Sequence, residues 1–201
     1  MARWNLAVVV GVPGVGKTSL CREASQSEGY HYINYGELML EFALKGKFAS
    51  TQEEMFNLPL ELQYDFWQDA AGHIKDLTED LTEDFKKEYK DSTDYKKDFN
   101  GVLVDLHGLD RSKNGYLISL PLEIIKPQII IIIESSYNQI IQHRSNDPER
   151  IRPMEGLESL NQEMELLRNS MIICSTILGS YFVVLENDEF KESLVRLKKY
   201  L

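Results

Sequence analysis

An apolar run that leads into a glycine-rich loop constrains this chain more than any other stretch of its sequence. The run is Leu6–Val10, and the loop after it has the pattern G-x-x-x-x-G-K-T: Gly11, Val12, Pro13, Gly14, Val15, Gly16, Lys17 and Thr18. In this pattern successive backbone N–H groups surround phosphate oxygens, the lysine reaches the outer phosphates and the hydroxyl reaches Mg²⁺. A helical stretch over 18–27 follows, as the pattern requires. We therefore expect residues 11–18, the phosphate loop, to bind a nucleotide.

The composition limits the class of protein and its partners. A chain of 201 residues can bury one good core, so we expect a single domain over 1–201. Its 43% hydrophobic and 27% charged residues are typical of a soluble globular protein. The net charge of −10 disfavours sequence-independent binding to a nucleic-acid backbone, and we expect no nucleic-acid partner. An acidic protein that binds phosphates must concentrate positive charge locally, so clustered arginines become informative.

Cysteine usage and the apolar runs bear on the compartment. Cys21 and Cys174 are far apart and match no zinc-binding spacing, so we expect two reduced core thiols. The N-terminal apolar run is interrupted by Gly11 too early for a signal peptide, and the run over 129–133 is too short to span a bilayer. We expect a cytoplasmic protein that does not act at a membrane.

Five apolar strands alternate with helices along the chain. The strands are expected at 6–10, 30–35, 102–105, 129–133 and 181–185. The unbroken β-branched run at 129–133 indicates a parallel strand buried on both faces, at or near the sheet centre. Because crossovers are right-handed, this order predicts an α/β fold with a doubly wound, five-stranded parallel sheet flanked by helices. Inserted helices are expected over about 36–100, and they end in a charge-rich tract at 75–98 that is most typical of a solvated helix.

A short apolar strand, 102–105, ends in an acid. This arrangement holds Mg²⁺ or its water opposite a phosphate loop, so we expect Thr18 and Asp105 to be the metal-side residues. A single Asp after a strand also opens ordinary turns, and that alternative stays open. His107 has no carboxylate partner that its spacing identifies, so a proton-transfer role is not favoured.

Arginines supply the local positive charge that an acidic phosphate-binding protein needs. Arg144, Arg150 and Arg152 lie within nine residues, and Arg168 follows on the next helix. In a connection between helices, guanidinium groups can gather over a transferring phosphoryl group, so we predict a short lid over about 144–156. The alternative is an exposed loop whose arginines form surface ion pairs with neighbouring acids.

With these features assembled, the chain resembles the archaeal-type adenylate kinases, a branch of the P-loop nucleoside monophosphate kinases. The similar segments run almost end to end: the phosphate loop, 34–36, 58–59, Asp105 with His107 and Arg111, 115–117, 120–121, Glu134, and the spacing of Arg144, Asp147, Arg150 and Arg152. The resemblance implies a P-loop kinase fold and reversible phosphoryl transfer from Mg²⁺-ATP to AMP.

The resemblance also implies roles for individual residues. The transferring group would be held by Lys17, Arg144, Arg150, Arg152 and Arg168, and ATP by the phosphate loop. AMP would be contacted by Gly36, Asp105, His107 and Arg111. One departure concerns the helix after the second strand, where the wider adenylate kinases carry Gly-Asp-x-x-Arg and this chain has no arginine. The family is commonly trimeric, which implies a homo-oligomer and specifically a homotrimer.

The acceptor itself leaves alternatives open. A nucleoside monophosphate, with a second pKa near about 6, is already a dianion at neutral pH and needs no general base. Another monophosphate would satisfy the same chemistry. A hydroxyl acceptor, as in shikimate or nucleoside kinases, would use a nearby acid such as Glu37. A further alternative is an adenylate-kinase-like ATPase that serves as an assembly factor, with the charged tract as its partner surface.

Overall fold

The structure, a computed structural model, describes residues 4–88, 99–112, 115–146 and 156–201, and at 82–88 and 112 it describes the backbone alone. The strands are β1 (Leu6–Val10), β2 (Tyr30–Asn34), β3 (Gly101–Asp105), β4 (Leu109–Ser112), β5 (Gly115–Ile118), β6 (Ile129–Glu134) and β7 (Tyr181–Glu186). The helices are α1 (Lys17–Glu28), α2 (Tyr35–Lys45), α3 (Gln52–Phe56), α4 (Leu60–Glu88), α5 (Tyr137–Ser145), α6 (Leu157–Leu178) and α7 (Phe190–Tyr200).

The main sheet has five strands in the order β2-β3-β1-β6-β7, and every neighbouring pair is parallel. This confirms the doubly wound α/β fold. The chain leaves β1 toward one side of the sheet and later returns to fill the other side, so β1 lies at the point where the winding direction reverses. Ligands of such sheets bind at this point, beyond the carboxyl ends of the strands. The phosphate loop occupies that position because it directly follows β1.

The strands of the centre are apolar on both faces, as a sheet covered by helices on each side requires. All five residues of β1 are buried, and so are Ile129 to Ile133 of β6. Helix α1 packs against β2 and α7, whereas α6 packs against β6 and β7. The core therefore holds the carboxyl ends of β1, β3 and β6 at one edge, where the site is built.

Helices α2, α3 and α4 lie between β2 and β3 along the chain. Helix α4 runs through 29 residues, and its buried residues include Phe66, Ala70 and Ile74, whose spacing of four places them on one face. The remainder of the charge-rich tract, 89–98, lies outside the described residues. Among the residues that the structure describes, no helix is long and apolar enough to cross a membrane.

A two-stranded antiparallel hairpin, β4 with β5, was not predicted. Its register places Arg111 opposite Tyr116, and all four residues of β5 are exposed. The strands are short, and in β5 the apolar residues Tyr116, Leu117 and Ile118 are exposed, so the hydrophobic alternation that identifies a half-buried strand is missing there. The hairpin leaves the main sheet after β3 and returns before β6, next to the carboxyl edge.

Candidate active site

The phosphate loop has the backbone conformation that its glycines allow. Gly14 and Gly16 have positive φ values of 98° and 82°, a region that residues with a Cβ rarely adopt. A Cβ on Gly11 would lie 2.6 Å from the backbone oxygen of Ile133. The loop ends where α1 begins, at Lys17, and the first N–H groups of a helix lack intrahelical partners and attract anions. This arrangement fits a chain of phosphates.

An ion pair between Lys17 and Asp105 closes the loop from the side of β3. The Lys17 Nζ donates to Asp105 Oδ1, and the Thr18 hydroxyl donates to Oδ2 at 2.7 Å. Lys17 is 7% exposed and Asp105 is 1% exposed. The structure thus brings together the lysine, the hydroxyl and the acid that the sequence pattern selected.

The Asp105 carboxylate is ionised despite its burial. Burial by itself raises its pKa, but the Lys17 charge and hydrogen bonds from Lys17, Thr18 and Tyr32 outweigh that effect and lower the pKa below its ordinary value. Burial and the nearby Asp105 charge raise the pKa of Tyr32, so its phenol stays protonated and donates. The site therefore holds a fixed negative charge beside the phosphate loop.

Two residues of β2 complete the surroundings of this carboxylate and were missed by the sequence reasoning. The Tyr32 hydroxyl donates to Asp105 Oδ2 at 3.1 Å, and the Asn34 amide donates to the same oxygen at 3.5 Å. The Asn34 side chain also accepts from the backbone N–H of Glu37 and caps α2. Tyr32 and Asn34 are two positions apart on a strand that neighbours β3, and that spacing is the signal that could have found them.

The oxygen atoms of this cluster fit a magnesium–nucleotide complex. Magnesium prefers hydroxyl, carboxylate, water and phosphate oxygens, and Thr18 and Asp105 supply the first two kinds. Lys17 adds positive charge on the same side of the loop. These residues can therefore hold Mg²⁺ together with the outer phosphates of a nucleotide.

Arg144, predicted to contact the transferring group, lies against the outer side of the phosphate loop. It belongs to the last turn of α5, is 7% exposed, and its Nε donates to the Pro13 carbonyl at 2.9 Å. Its neighbour His143 is exposed and bonds the Gly14 carbonyl through Nδ1 at 2.8 Å. Both side chains thus contact the backbone of the loop.

Arg168 projects from α6 toward the carboxyl edge of the sheet, where it meets Glu134, the last residue of β6. Its Nε donates to Glu134 Oε1 at 2.9 Å, and a second guanidinium nitrogen donates to Oε2. The hydrogen bonds and the charge of Glu134 raise the pKa of Arg168. The planar guanidinium is thereby oriented. Arg150, Arg152 and most of the predicted lid lie outside the described residues.

The predicted acceptor-side residues lie on three elements around the same edge. Gly36 is in the first turn of α2, and Arg111 is exposed on β4. His107 bonds Asp110 at 3.1 Å, so it does have a carboxylate partner, three residues along the chain, that its spacing did not identify. The turn between β3 and β4 brings the two side chains together. The His107 carbonyl also accepts from the N–H of Gly11, at 3.4 Å.

Comparison with known proteins relates this geometry to kinases. A family model described as an AAA domain matches residues 10–80 and 67–161. An adenylate kinase homolog from Methanothermobacter thermautotrophicus is 45% identical over 185 residues, which cover 92% of this chain and 86% of that protein. An adenylate kinase from Pyrococcus horikoshii is 31% identical over 191 residues, covering 92% and 88%. The solved structure of a sugar kinase from a Janibacter species shares the fold, with a TM-score of 0.55 at 12% identity over 98% of this chain and 93% of that one.

Proposed function

This chain belongs to the adenylate kinase family and is a nucleoside monophosphate kinase, and we propose that it transfers a phosphoryl group reversibly from Mg²⁺-ATP to AMP. One observation carries the proposal: Lys17 and Thr18 of the phosphate loop meet on the buried carboxylate of Asp105. Binding of a nucleoside triphosphate with Mg²⁺ uses this combination of backbone N–H groups, a lysine and two oxygen ligands on one side of the loop.

The donor nucleotide is proposed to bind along the phosphate loop. Its phosphates take the place of Asp105 as the partner of Lys17, and the carboxylate then faces the metal side. When Mg²⁺ is bound with ATP, it neutralises charge on the outer phosphates. Thr18 and Asp105 would hold it, directly or through water. Tyr32 and Asn34 keep the carboxylate in place by their hydrogen bonds.

The transferring group carries developing charge that arginines can stabilise. Arg168 is proposed to supply one guanidinium from α6, oriented by its two hydrogen bonds to Glu134. Arg150 and Arg152 are proposed to supply others from the lid over about 144–156, as the family spacing implies. Arg144 is kept in this catalytic set by the resemblance, but its Nε bonds the phosphate loop itself, which gives it a second way to act.

The acceptor is proposed to bind between the inserted helices of about 36–100 and the β4–β5 hairpin. Gly36, Asp105, His107 and Arg111 are the proposed contacts, with Arg111 on the AMP phosphate. A monophosphate dianion attacks without a general base. Glu37, the acid that a hydroxyl acceptor would use, pairs instead with Arg22 at 3.3 Å. That pairing favours a phosphate acceptor.

The proposal extends to the setting in which the enzyme works. We propose a single domain over 1–201 that acts in the cytoplasm as a homo-oligomer, specifically a homotrimer, as the family resemblance implies. The exposed apolar residues Ile173 and Ile177 of α6 and Tyr181 of β7 offer a surface for contact between copies. The net charge of −10 supports an enzyme without a nucleic-acid partner, and no membrane partner is proposed.

An acceptor panel tests the proposal. The purified protein is given Mg²⁺-ATP with AMP, CMP, UMP, nucleosides or shikimate, and ADP is measured with each. We expect AMP to give the fastest ADP formation. ADP formation confined to nucleosides or shikimate would contradict the proposal, and slow ATP hydrolysis independent of any acceptor would support the assembly-factor alternative.

A further inference from the structure

The outer side of the phosphate loop presents three consecutive carbonyls, those of residues 13–15, and each accepts one hydrogen bond from a side chain. In chain order the three bonds come from Arg144 Nε at 2.9 Å, His143 Nδ1 at 2.8 Å and Asn187 Nδ2 at 2.7 Å. The first two side chains lie in the last turn of α5, and Asn187 directly follows β7. Two separate elements therefore hold one short run of backbone.

The peptide plane explains why these carbonyls matter. Each carbonyl is coplanar with the N–H of the next residue and points the opposite way. Fixing the carbonyls of residues 13–15 therefore fixes the N–H groups of residues 14–16. The Val15 N–H donates to the Val12 carbonyl inside the loop at 3.4 Å, whereas the N–H groups of Gly14 and Gly16 point away from the three side chains, toward the phosphates.

The hydrogen bond from Asn187 to the Val15 carbonyl depends on the glycine at position 16. The Asn187 side chain is buried, and its Nδ2 lies 2.6 Å from where a Cβ on Gly16 would be, so only glycine admits the amide. Its Oδ1 is buried without a hydrogen-bond partner among the described residues. The opposite amide orientation would place two oxygens 2.7 Å apart. A buried amide with one unpaired atom contributes little to stability, so we attribute its presence to the N–H that holds Val15.

We propose that His143, Arg144 and Asn187, here called the loop collar, are positioning residues that hold the backbone of residues 13–16 in the conformation that binds the phosphates of ATP. The inference rests on the proposed donor role of the phosphate loop. The loop collar contacts neither the acceptor-side residues nor Asp105 in the described contacts. Its loss should therefore weaken binding of ATP selectively, without a matching effect on AMP.

His143 offers the cleanest test because it is exposed and its replacement leaves the core intact. His143→Leu removes the hydrogen-bond donor, whereas His143→Asn places an amide N–H where Nδ1 was. Loss of one such bond in His143→Leu is expected to raise the KM for Mg²⁺-ATP about five- to tenfold and to leave the KM for AMP unchanged. In His143→Asn, the KM for Mg²⁺-ATP is expected to stay close to the wild-type value. Gln142→Ala on the same helix is the control, since Gln142 is exposed and lies outside the proposed lid.

Asn187→Leu tests the buried member, with Ser193→Ala as the matched control because Ser193 bonds the Glu186 carbonyl at the same junction. Calorimetric titration of ATP into each variant without AMP gives the Kd, and a thermal melt follows folding. A wild-type Kd for ATP in both His143→Leu and Asn187→Leu would overturn the inference, as would equal losses for ATP and AMP. Absence of ADP formation by the wild-type protein would instead overturn the proposed function.

Discussion

At the scale of single residues, the site depends on one buried carboxylate. Asp105 receives hydrogen bonds from Lys17, Thr18, Tyr32 and Asn34, which come from α1 and β2. These partners keep it charged in a position where burial alone would favour its neutral form. A fixed charge at the edge of the sheet is useful to an enzyme that handles a metal–phosphate complex.

The lowered pKa of Asp105 predicts a specific pH dependence of stability. Since the folded-state pKa lies below the unfolded value of about 4, its contribution is present above pH 4 or so and is lost as the pH falls further. Asp105→Asn leaves Lys17 charged and buried without its partner, which should cost about 3 kcal/mol at neutral pH. Urea unfolding of both proteins at several pH values from about 3 to about 7 measures the difference between their free energies of unfolding. A difference that stays constant down to the most acid sample would contradict this assignment.

Glu134 is predicted to act on catalysis through Arg168. Arg168→Ala should lower kcat on the order of a hundredfold because the variant lacks the positive charge that stabilises the transferring phosphoryl group. Glu134→Gln keeps the arginine but loses the charged partner, so we expect about a tenfold lower kcat with little change in the KM values. Steady-state kinetics in both substrates measure these effects. If Arg168→Ala turns over like the wild type, Arg168 is not part of the site.

At the scale of elements, the phosphate loop is fitted between strands and helices with little free space. Gly11 is pressed against the Ile133 backbone at the end of β6, and Gly16 against Asn187 after β7. By contrast, Gly72 lies inside α4 with nothing within 4 Å of its Cβ position. Replacement by alanine should therefore have opposite effects on stability at Gly11 and at Gly72.

Gly11→Ala is predicted to destabilise the protein and Gly72→Ala to stabilise it. The first forces a Cβ to within 2.6 Å of a backbone oxygen, which should cost about 2 kcal/mol and abolish detectable ATP binding. The second replaces a helix-interior glycine without a clash, for a gain of about 0.5–1 kcal/mol. Denaturant midpoints and ATP titrations compare the two variants. Equal destabilisation by both changes would show that the short distance from a Gly11 Cβ to the Ile133 backbone oxygen does not determine the stability of the variant.

The elements with strong local signals were predictable from the sequence. The apolar run at 129–133 became a fully buried part of a strand near the sheet centre, as its unbroken β-branched pattern predicted. The phosphate loop and Asp105 were found because glycine spacing and a strand-final acid are local features. The β4–β5 hairpin was missed because all four residues of β5 are exposed and leave no burial pattern.

The partners of the site were predictable only in part, because they depend on which strands become neighbours. Tyr32 and Asn34 approach Asp105 because β2 pairs with β3, and Asn187 reaches Val15 because β7 ends near the loop. The spacing of Tyr32 and Asn34 places both side chains on one face of β2, but it does not give the strand order that brings that face to Asp105. Arg144 was singled out from its place among arginines, but the packing of α5 directs its Nε to the Pro13 carbonyl.

At the scale of the whole molecule, the strand order places the site between two halves of one sheet. Strands β2 and β3, with the inserted helices and the hairpin, lie on one side of β1, and β6 and β7 lie on the other. Asp105 comes from the first side, whereas Arg168, His143 and Asn187 come from the second. The proposed acceptor and donor contacts are therefore separated across the phosphate loop, as a two-substrate kinase requires.

The stoichiometry of the reaction tests this account most directly. Wild-type protein and Lys17→Ala are incubated with Mg²⁺-ATP and AMP, and ATP, ADP, AMP and free phosphate are followed by chromatography. We predict that the wild type forms two ADP for each AMP consumed, without free phosphate, and that Lys17→Ala is slower on the order of a hundredfold or more. Formation of one ADP and one free phosphate per ATP, with AMP unchanged, would contradict the account.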